Sequence, residues 1–179
     1  DLVPKKSSVV LDGGNIIRAS SKVIMCEKIF SENRHLSKSQ LTDELLDLLE
    51  TDQIIFIPWD KNDFTGHADG MVRFVDDENV IINEPTSENP EIEKRLRSIL
   101  KDASLNIIKI PYRPAEDPTY LSAKGLHLNY LHMKQAIFAP VFNQASDDKA
   151  IRLLESVFVG HNIVAIDCNE ISAEGGVLN

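Results

Sequence analysis

Gln53-Ile54-Ile55-Phe56-Ile57-Pro58-Trp59 has two echoes further along the chain: Asn106-Ile107-Ile108-Lys109-Ile110-Pro111-Tyr112 and Asn162-Ile163-Val164-Ala165-Ile166-Asp167-Cys168. Their starts lie 53 and 56 residues apart. Each is a short isoleucine-rich run, the composition of a strand covered on both faces. A near-constant period of this length favours a repeat, one strand in three copies, over an ordinary α+β sandwich whose strands are alike by chance.

Working backward from each strand, the same series of elements recurs. A helix precedes each one. The first opens on a capping box of Ser37 and Gln40 and carries Leu41, Leu45, Leu46, Leu48 and Leu49. The second has Asn89 as cap, Pro90 at its first position, and Ile92, Leu96, Ile99, Leu100 and Ala103 at helical spacing. The third has Ser146 as cap, Asp147 and Asp148 in its first turn, and an apolar face of Ala150, Leu154, Val157 and Phe158. Before each helix lie two extended segments: Ser8 to Ile17 with Lys22 to Cys26, Met71 to Val75 with Asn79 to Asn83, and Leu126 to Met133 with Ala136 to Phe142. The unit is strand-strand-helix-strand (ββαβ), an α+β or α/β class. Its copies span roughly 7–59, 65–112 and 125–168 of a single partial domain over 1–179, and a further copy starts at 171–179. One helix covers one face of a small sheet, so each unit needs neighbours to complete its core.

Composition narrows the function. The 179 residues are 42% hydrophobic and 26% charged, enough for one domain with a core. A net charge of −9 disfavours nucleic acid, which needs clustered Lys and Arg, and mildly favours cationic partners. No apolar run approaches the roughly 20 residues of a membrane helix. The chain opens on Asp1 rather than Met, so an upstream segment is expected and the cytoplasm is only a default address. Cys26 and Cys168 each end an apolar stretch and read as buried structural cysteines, without the helix-start or glycine-rich setting that lowers a thiol pKa.

Chemistry is concentrated in Thr65-Gly66-His67-Ala68-Asp69-Gly70-Met71-Val72-Arg73-Phe74, between two units. His67 and Asp69 are two apart, so an extended backbone would project both to one side. Imidazole moves protons near neutral pH, and a carboxylate accepts paired N–H bonds from a planar guanidinium. Gly66 and Gly70 allow tight turns and close approach of a ligand. Taken alone, His-x-Asp equally suits a surface pair or a hydrogen-bonded structural histidine. A metal site lacks partner spacings such as His-x-x-x-His. Leu11-Asp12-Gly13-Gly14-Asn15 reads either as a turn between strands or as a device that delivers Asp12 to the same rim as His67, one repeat earlier.

In combination these segments resemble a known family. Leu11-Asp12-Gly13-Gly14-Asn15 resembles the Leu-Glu/Asp-Gly-Gly-Asn/Asp motif of the guanidine-modifying superfamily, where Glu is the more usual acid. Gly66 to Phe74 resembles the Gly-His-x-Asp-x-x-x-Arg-Phe motif of the agmatine deiminase and bacterial peptidyl-arginine deiminase group. Leu128-Asn129-Tyr130 is similar to that group's Tyr-x-Asn-Phe-Tyr strand, and Pro140-Val141-Phe142 to its Pro-x-Phe. Ala173-Glu174-Gly175-Gly176-Val177-Leu178-Asn179 is similar to its Gly-Gly-Gly-x-x-His/Asn-Cys segment up to the residue before the cysteine.

The resemblance implies a pentein fold, five ββαβ units around a pseudo-fivefold axis, of which about three are present. It implies catalytic roles for His67, Asp69 and Asp12: His67 as general acid and base, Asp69 as grip on the guanidinium, Asp12 as orienter of the imidazole. Gly66 and Asp69 would bind substrate. The nucleophilic cysteine is expected directly after Asn179, an early Trp-x-x-Arg-Asp segment before Asp1, and residues 1–179 alone are expected to be inactive. The implied partner is a small cationic guanidine, agmatine or free or peptidyl arginine, with no metal or organic cofactor, no nucleic acid and no membrane, and a homo-oligomer is compatible. Gly70 stands where agmatine deiminases tend to carry a polar residue, which favours a wider site. Arg73 and Phe74 are read as structural, with Arg73 paired to a carboxylate; Trp59 and Tyr112 end equivalent strands and either line a site or, the preferred reading, serve core or rim packing. The competing functions are an amidinotransferase and a non-catalytic pentein-like binding module.

Overall fold

The computed structural model describes residues 6–61, 65–86, 90–114 and 122–179. Three three-stranded sheets follow one another along the chain. The first contains β1 (Ile17–Arg18), β2 (Lys22–Cys26) and β3 (Gln53–Ile57), with α1 (Lys28–Glu32) and α2 (Lys38–Leu48) between β2 and β3. The second contains β4 (Val72–Phe74), β5 (Asn79–Asn83) and β6 (Asn106–Ile110), with α3 (Pro90–Asp102) as the connection. The third contains β7 (Leu131–Met133), β8 (Ala136–Val141) and β9 (Asn162–Asp167), with α4 (Asp147–Val157). In each sheet the first strand pairs antiparallel to the second by a short hairpin, and the second pairs parallel to the third across the helix. A parallel pair requires such a long crossover, so the order of elements along the chain dictates this topology.

The middle strands are buried on both faces. Val23, Ile24, Met25 and Cys26 are all 0% exposed. Val23 and Met25 pack with Leu41 and Leu45 of α2, while Ile24 and Cys26 join Ile55, Ile57 and the second unit's Val80, Ile82, Leu96 and Leu100. In the second sheet, Val80 and Ile82 face that core while Ile81 turns to Tyr130, Ile137 and Leu154 of the third unit. Alternate residues of one strand therefore belong to two different cores, which is why the strands lack apolar–polar alternation. Helix α3 lies between two sheets rather than wholly outside them. Each large aliphatic side chain buried this way contributes about 1.5–3 kcal/mol.

The expected helix starts divide. Ser37 and Gln40 form the complete capping box. Pro90 is the first residue of α3, and Asn89 lies outside the described residues. Ser146 precedes α4 but makes no capping bond; the Oδ2 of Asp147, the first residue of the helix, accepts instead from the N–H groups of Phe142 and Gln144 in the preceding segment, at 3.0 Å each.

The first strand of each unit is shorter than its sequence suggests. Ser8 to Ile16 is not a strand; Gly13–Asn15 coil into a 3-10 turn and only Ile17–Arg18 pair with β2. Likewise Leu126 to Tyr130 stays out of the ladder except for one bridge between Leu126 and Tyr112. Leu128 and Tyr130 are held by burial, at 0% and 1% exposed, rather than by strand pairing. The segment at 171–179 begins with a 3-10 turn, Ile171–Glu174, closed by Gly175 at φ 85°.

Candidate active site

Asp12 caps the Gly13–Asn15 turn. Its Oδ1 accepts the Gly14 N–H at 3.1 Å and its backbone oxygen accepts the Asn15 N–H at 3.1 Å. Its Oδ2 lies 2.8 Å from His67 Nε2. The shorter acid reaches the imidazole because the ring lies on the turn. A Cβ on Gly14 would stand 2.5 Å from His67 Nδ1, whereas one on Gly13 would meet nothing within 4 Å. Only the second glycine of the pair is therefore needed for this approach. The hydrogen bond from His67 holds the Asp12 carboxyl below its ordinary range against a small opposing effect of burial, and the Gly14 N–H adds to it.

Asp69 does not sit in extended backbone. His67 is extended at φ −79° and ψ 123°, but Ala68–Gly70 form a 3-10 turn closed by the Met71 N–H on Ala68 O. The two side chains therefore have different polar partners: His67 has Asp12, and Asp69 Oδ2 accepts the Asn179 Nδ2–H at 2.9 Å. Asp69 is only 8% exposed. Burial pushes its carboxyl above the ordinary range, while a protonated His67, the Asn179 amide and the Arg73 guanidinium pull it back. A buried carboxylate of this kind is a natural seat for a cation, because a cation restores the charged form that burial disfavours.

Among the described residues Arg73 makes no salt bridge with a carboxylate, in contrast to the expectation. Its guanidinium lies 4.9 Å from the centroid of the Tyr130 ring. Burial pushes the Tyr130 hydroxyl up to about 12, with Arg73 opposing. Among the described residues Arg73 Nη1, Asn83 Oδ1, Asn129 Oδ1 and Tyr130 OH are buried without a hydrogen-bond partner. Asn83 Nδ2 donates to Gly70 O at 2.8 Å, tying the turn after Asp69 to β5. Gly66 has φ +58°, and the Lys28 stem crosses it where a Cβ would be 2.4 Å from Lys28 Cδ. Lys28 Nζ donates to Thr65 O at 2.6 Å and pairs with Glu32 at 3.1 Å. Trp59 packs against the first core.

Neither cysteine has the setting of a nucleophile. Cys26 is buried with Sγ 3.8 Å from Pro58 O. Cys168 is buried too, and its thiol is pushed up by burial and by Asp167. Sequence reasoning did not single out Asn179 as a partner of Asp69 or Asn15 as a structural contact; only their places in the two Gly-Gly segments hinted at either.

An agmatine deiminase from Medicago truncatula is 29% identical over 211 residues, covering 97% of this chain and 56% of that protein. The chain thus spans about half the length of the curated relatives it matches. A C. jejuni agmatine deiminase structure superposes with a TM-score of 0.81 at 21% identity, over 97% of this chain and 55% of that one. An amidinotransferase from Microseira wollei superposes less well, with a TM-score of 0.60 at 16% identity, over 93% of this chain and 42% of that one. These likenesses give the three units the pentein architecture. The match over residues 1–179 shows that the chain belongs to the Porphyromonas-type peptidyl-arginine deiminase family.

Proposed function

We propose that the full-length protein carrying these residues hydrolyses a guanidinium group to a ureido group and ammonia. The observation that carries this reading is the His67–Asp12 pair at 2.8 Å on the segment that also holds the buried carboxylate of Asp69. Asp69, with the Gly66 backbone beside His67, binds the cation. A cysteine thiolate, expected directly after Asn179, attacks the central guanidinium carbon. As the C–S bond stands and one C–N bond breaks, His67 gives its proton to the departing ammonia. Water then attacks the thiouronium carbon, His67 takes its proton, and the C–S bond breaks to return the thiolate. Asp12 keeps the imidazole oriented through both transfers, as the third member of a triad does.

Agmatine is the first substrate to test, since the relatives above carry that name; free and peptidyl arginine follow, because Gly70 adds no side chain beside Asp69. The assay measures ammonia and the ureido product from each guanidine, before and after a thiol-blocking reagent. Thiol-sensitive ammonia release is expected from the full-length protein and background release from residues 1–179 alone. Transfer of the amidino group to an added amine without ammonia would replace hydrolysis by amidinotransfer. No turnover of any guanidine would leave a binding module.

A further inference from the structure

We infer that Asn15 is a positioning residue that supplies a missing rung of the first sheet and thereby fixes Asp12 against His67. The β1–β2 ladder pairs Arg18 with Val23 and Ile17 with Ile24. Continued by the same register, it would set Asn15 opposite Cys26. The backbone cannot continue, because Gly13–Asn15 have coiled into the 3-10 turn that carries Asp12. Meanwhile β2 runs on to Cys26 beside β3. The Glu27 N–H turns to β3, donating to Ile57 O at 2.9 Å. By alternation, the N–H and C=O of Cys26 point the other way, toward the edge that β1 has left.

The Asn15 side chain fills that edge. Its Oδ1 accepts the Cys26 N–H at 2.6 Å and its Nδ2 donates to Cys26 O at 3.3 Å. Asn15 is 2% exposed. A primary amide carries the same donor and acceptor as the peptide group it replaces, so both buried backbone groups of Cys26 are satisfied. Aspartate would place an oxygen against a carbonyl oxygen, and leucine would satisfy neither group. The same residue closes the turn through its own N–H on Asp12 O at 3.1 Å, and its neighbour Gly14 supports the His67 ring. One buried amide therefore connects the rigid middle strand to the exposed pair at the rim. The strand can turn away from its ladder to present an acid without leaving orphaned backbone groups behind.

The test uses Asn15→Ala and Asn15→Asp in the full-length protein, with two readouts. The first is the titration of the Asp12 carboxyl by NMR, which needs no assumption about the reaction. The second is steady-state kinetics, which rests on the deiminase reading above. In both variants Asp12 should titrate higher than in the parent, because its pairing with His67 loosens. The kcat should fall by about ten- to a hundredfold, the scale on which small misplacement of catalytic groups acts. KM should stay within about twofold, since Asp69 is untouched. Should Asn15→Ala fail to fold, Asn15→Asp retains the acceptor for the Cys26 N–H and carries the same readouts. A folded variant with lowered thermal stability but an unmoved Asp12 titration and parental kcat would overturn the inference. A parent without guanidine hydrolysis would remove the deiminase reading instead, and the Asp12 titration would still decide the role of Asn15.

Discussion

Two histidine–aspartate pairs in this molecule have the same length and opposite characters. His67 Nε2 lies 2.8 Å from Asp12, with side chains 34% and 49% exposed. His127 Nε2 lies 2.8 Å from Asp147, with side chains 1% and 14% exposed. In the second pair the partners are saturated. His127 Nδ1 meets Pro111 O at 3.0 Å, a group that can only accept, so that nitrogen bears hydrogen, and the ring stands edge-on to Phe142. The other oxygen of Asp147 is taken by the N–H groups of Phe142 and Gln144. This pair ties the end of the second unit to the start of α4 and has no capacity left for a substrate. The rim pair instead rests on a glycine. The two pairs share a distance and differ in exposure and in how many further hydrogen bonds their atoms make. That difference is the ground for assigning chemistry to the first and bracing to the second in the proposed function.

The sharpest test of that contrast is kinetic. His67→Ala in the full-length protein should lower kcat by about a thousandfold or more, because both proton transfers lose their agent. His127→Gln should leave kcat of the folded protein within about threefold, since the ring touches nothing at the rim. A His67→Ala enzyme with near-parental turnover would break the comparison at its root.

Next in size is a stability effect confined to the buried pair. Asp147→Ala removes the partner of His127 and the acceptor for two backbone N–H groups, and should cost about 3 kcal/mol in denaturant unfolding. Asp12→Ala, at the exposed pair, should cost less than about 1 kcal/mol. Equal losses would mean that the two pairs do not differ as their burial says.

The two adjacent glycines divide the rim pair more finely. Gly14→Ala pushes a methyl into the His67 ring and should lower kcat by about tenfold or more. Gly13→Ala meets open space and should change stability by less than about 0.5 kcal/mol and leave turnover near parental. Kinetics of the two variants side by side would show whether the imidazole needs its seat on Gly14.

The smallest effect near neutral pH concerns Asp69. Its carboxyl is raised, so the folded protein holds that proton more tightly than the unfolded chain does. Cation binding needs the ionised form and should weaken as pH falls through a range above that of an ordinary carboxylate, seen as a rising KM. Asp12 is lowered, so the rim pair should persist to more acidic pH and be lost only as the solution falls through that lower value. A KM that stays flat down to pH 4 would remove Asp69 from the cation site.

Much of the fold could be read in advance. The strands Gln53–Ile57, Asn79–Asn83 and Asn106–Ile110 and the helix opened by Ser37 were legible because apolar runs, turn residues and a capping box are local signals. The first strands were overestimated because Val9 and Leu11, apolar and extended in sequence, pack against the α2 core without joining a ladder. Asp12, His67 and Asp69 could be picked out as candidates, and Asp12 does meet His67, but their arrangement could not be read. His-x-Asp spacing suggested one shared side, whereas the 3-10 turn at Ala68–Gly70 gives each side chain a different polar partner.

By itself, then, the sequence determined the repeat, the order of elements within each unit and the residue types at the rim, since periodicity, caps and glycines act over a few positions. The tertiary structure decided which partners those residues meet. Asp12 reaches His67 across 55 positions, Asn179 reaches Asp69 across 110, and His127 is silenced by Asp147. Such pairings depend on how one sheet lies against the next, where alternate residues of a strand enter different cores. Chain separation carries no trace of that packing, so the difference between an exposed pair and a buried brace emerges only when the units come together.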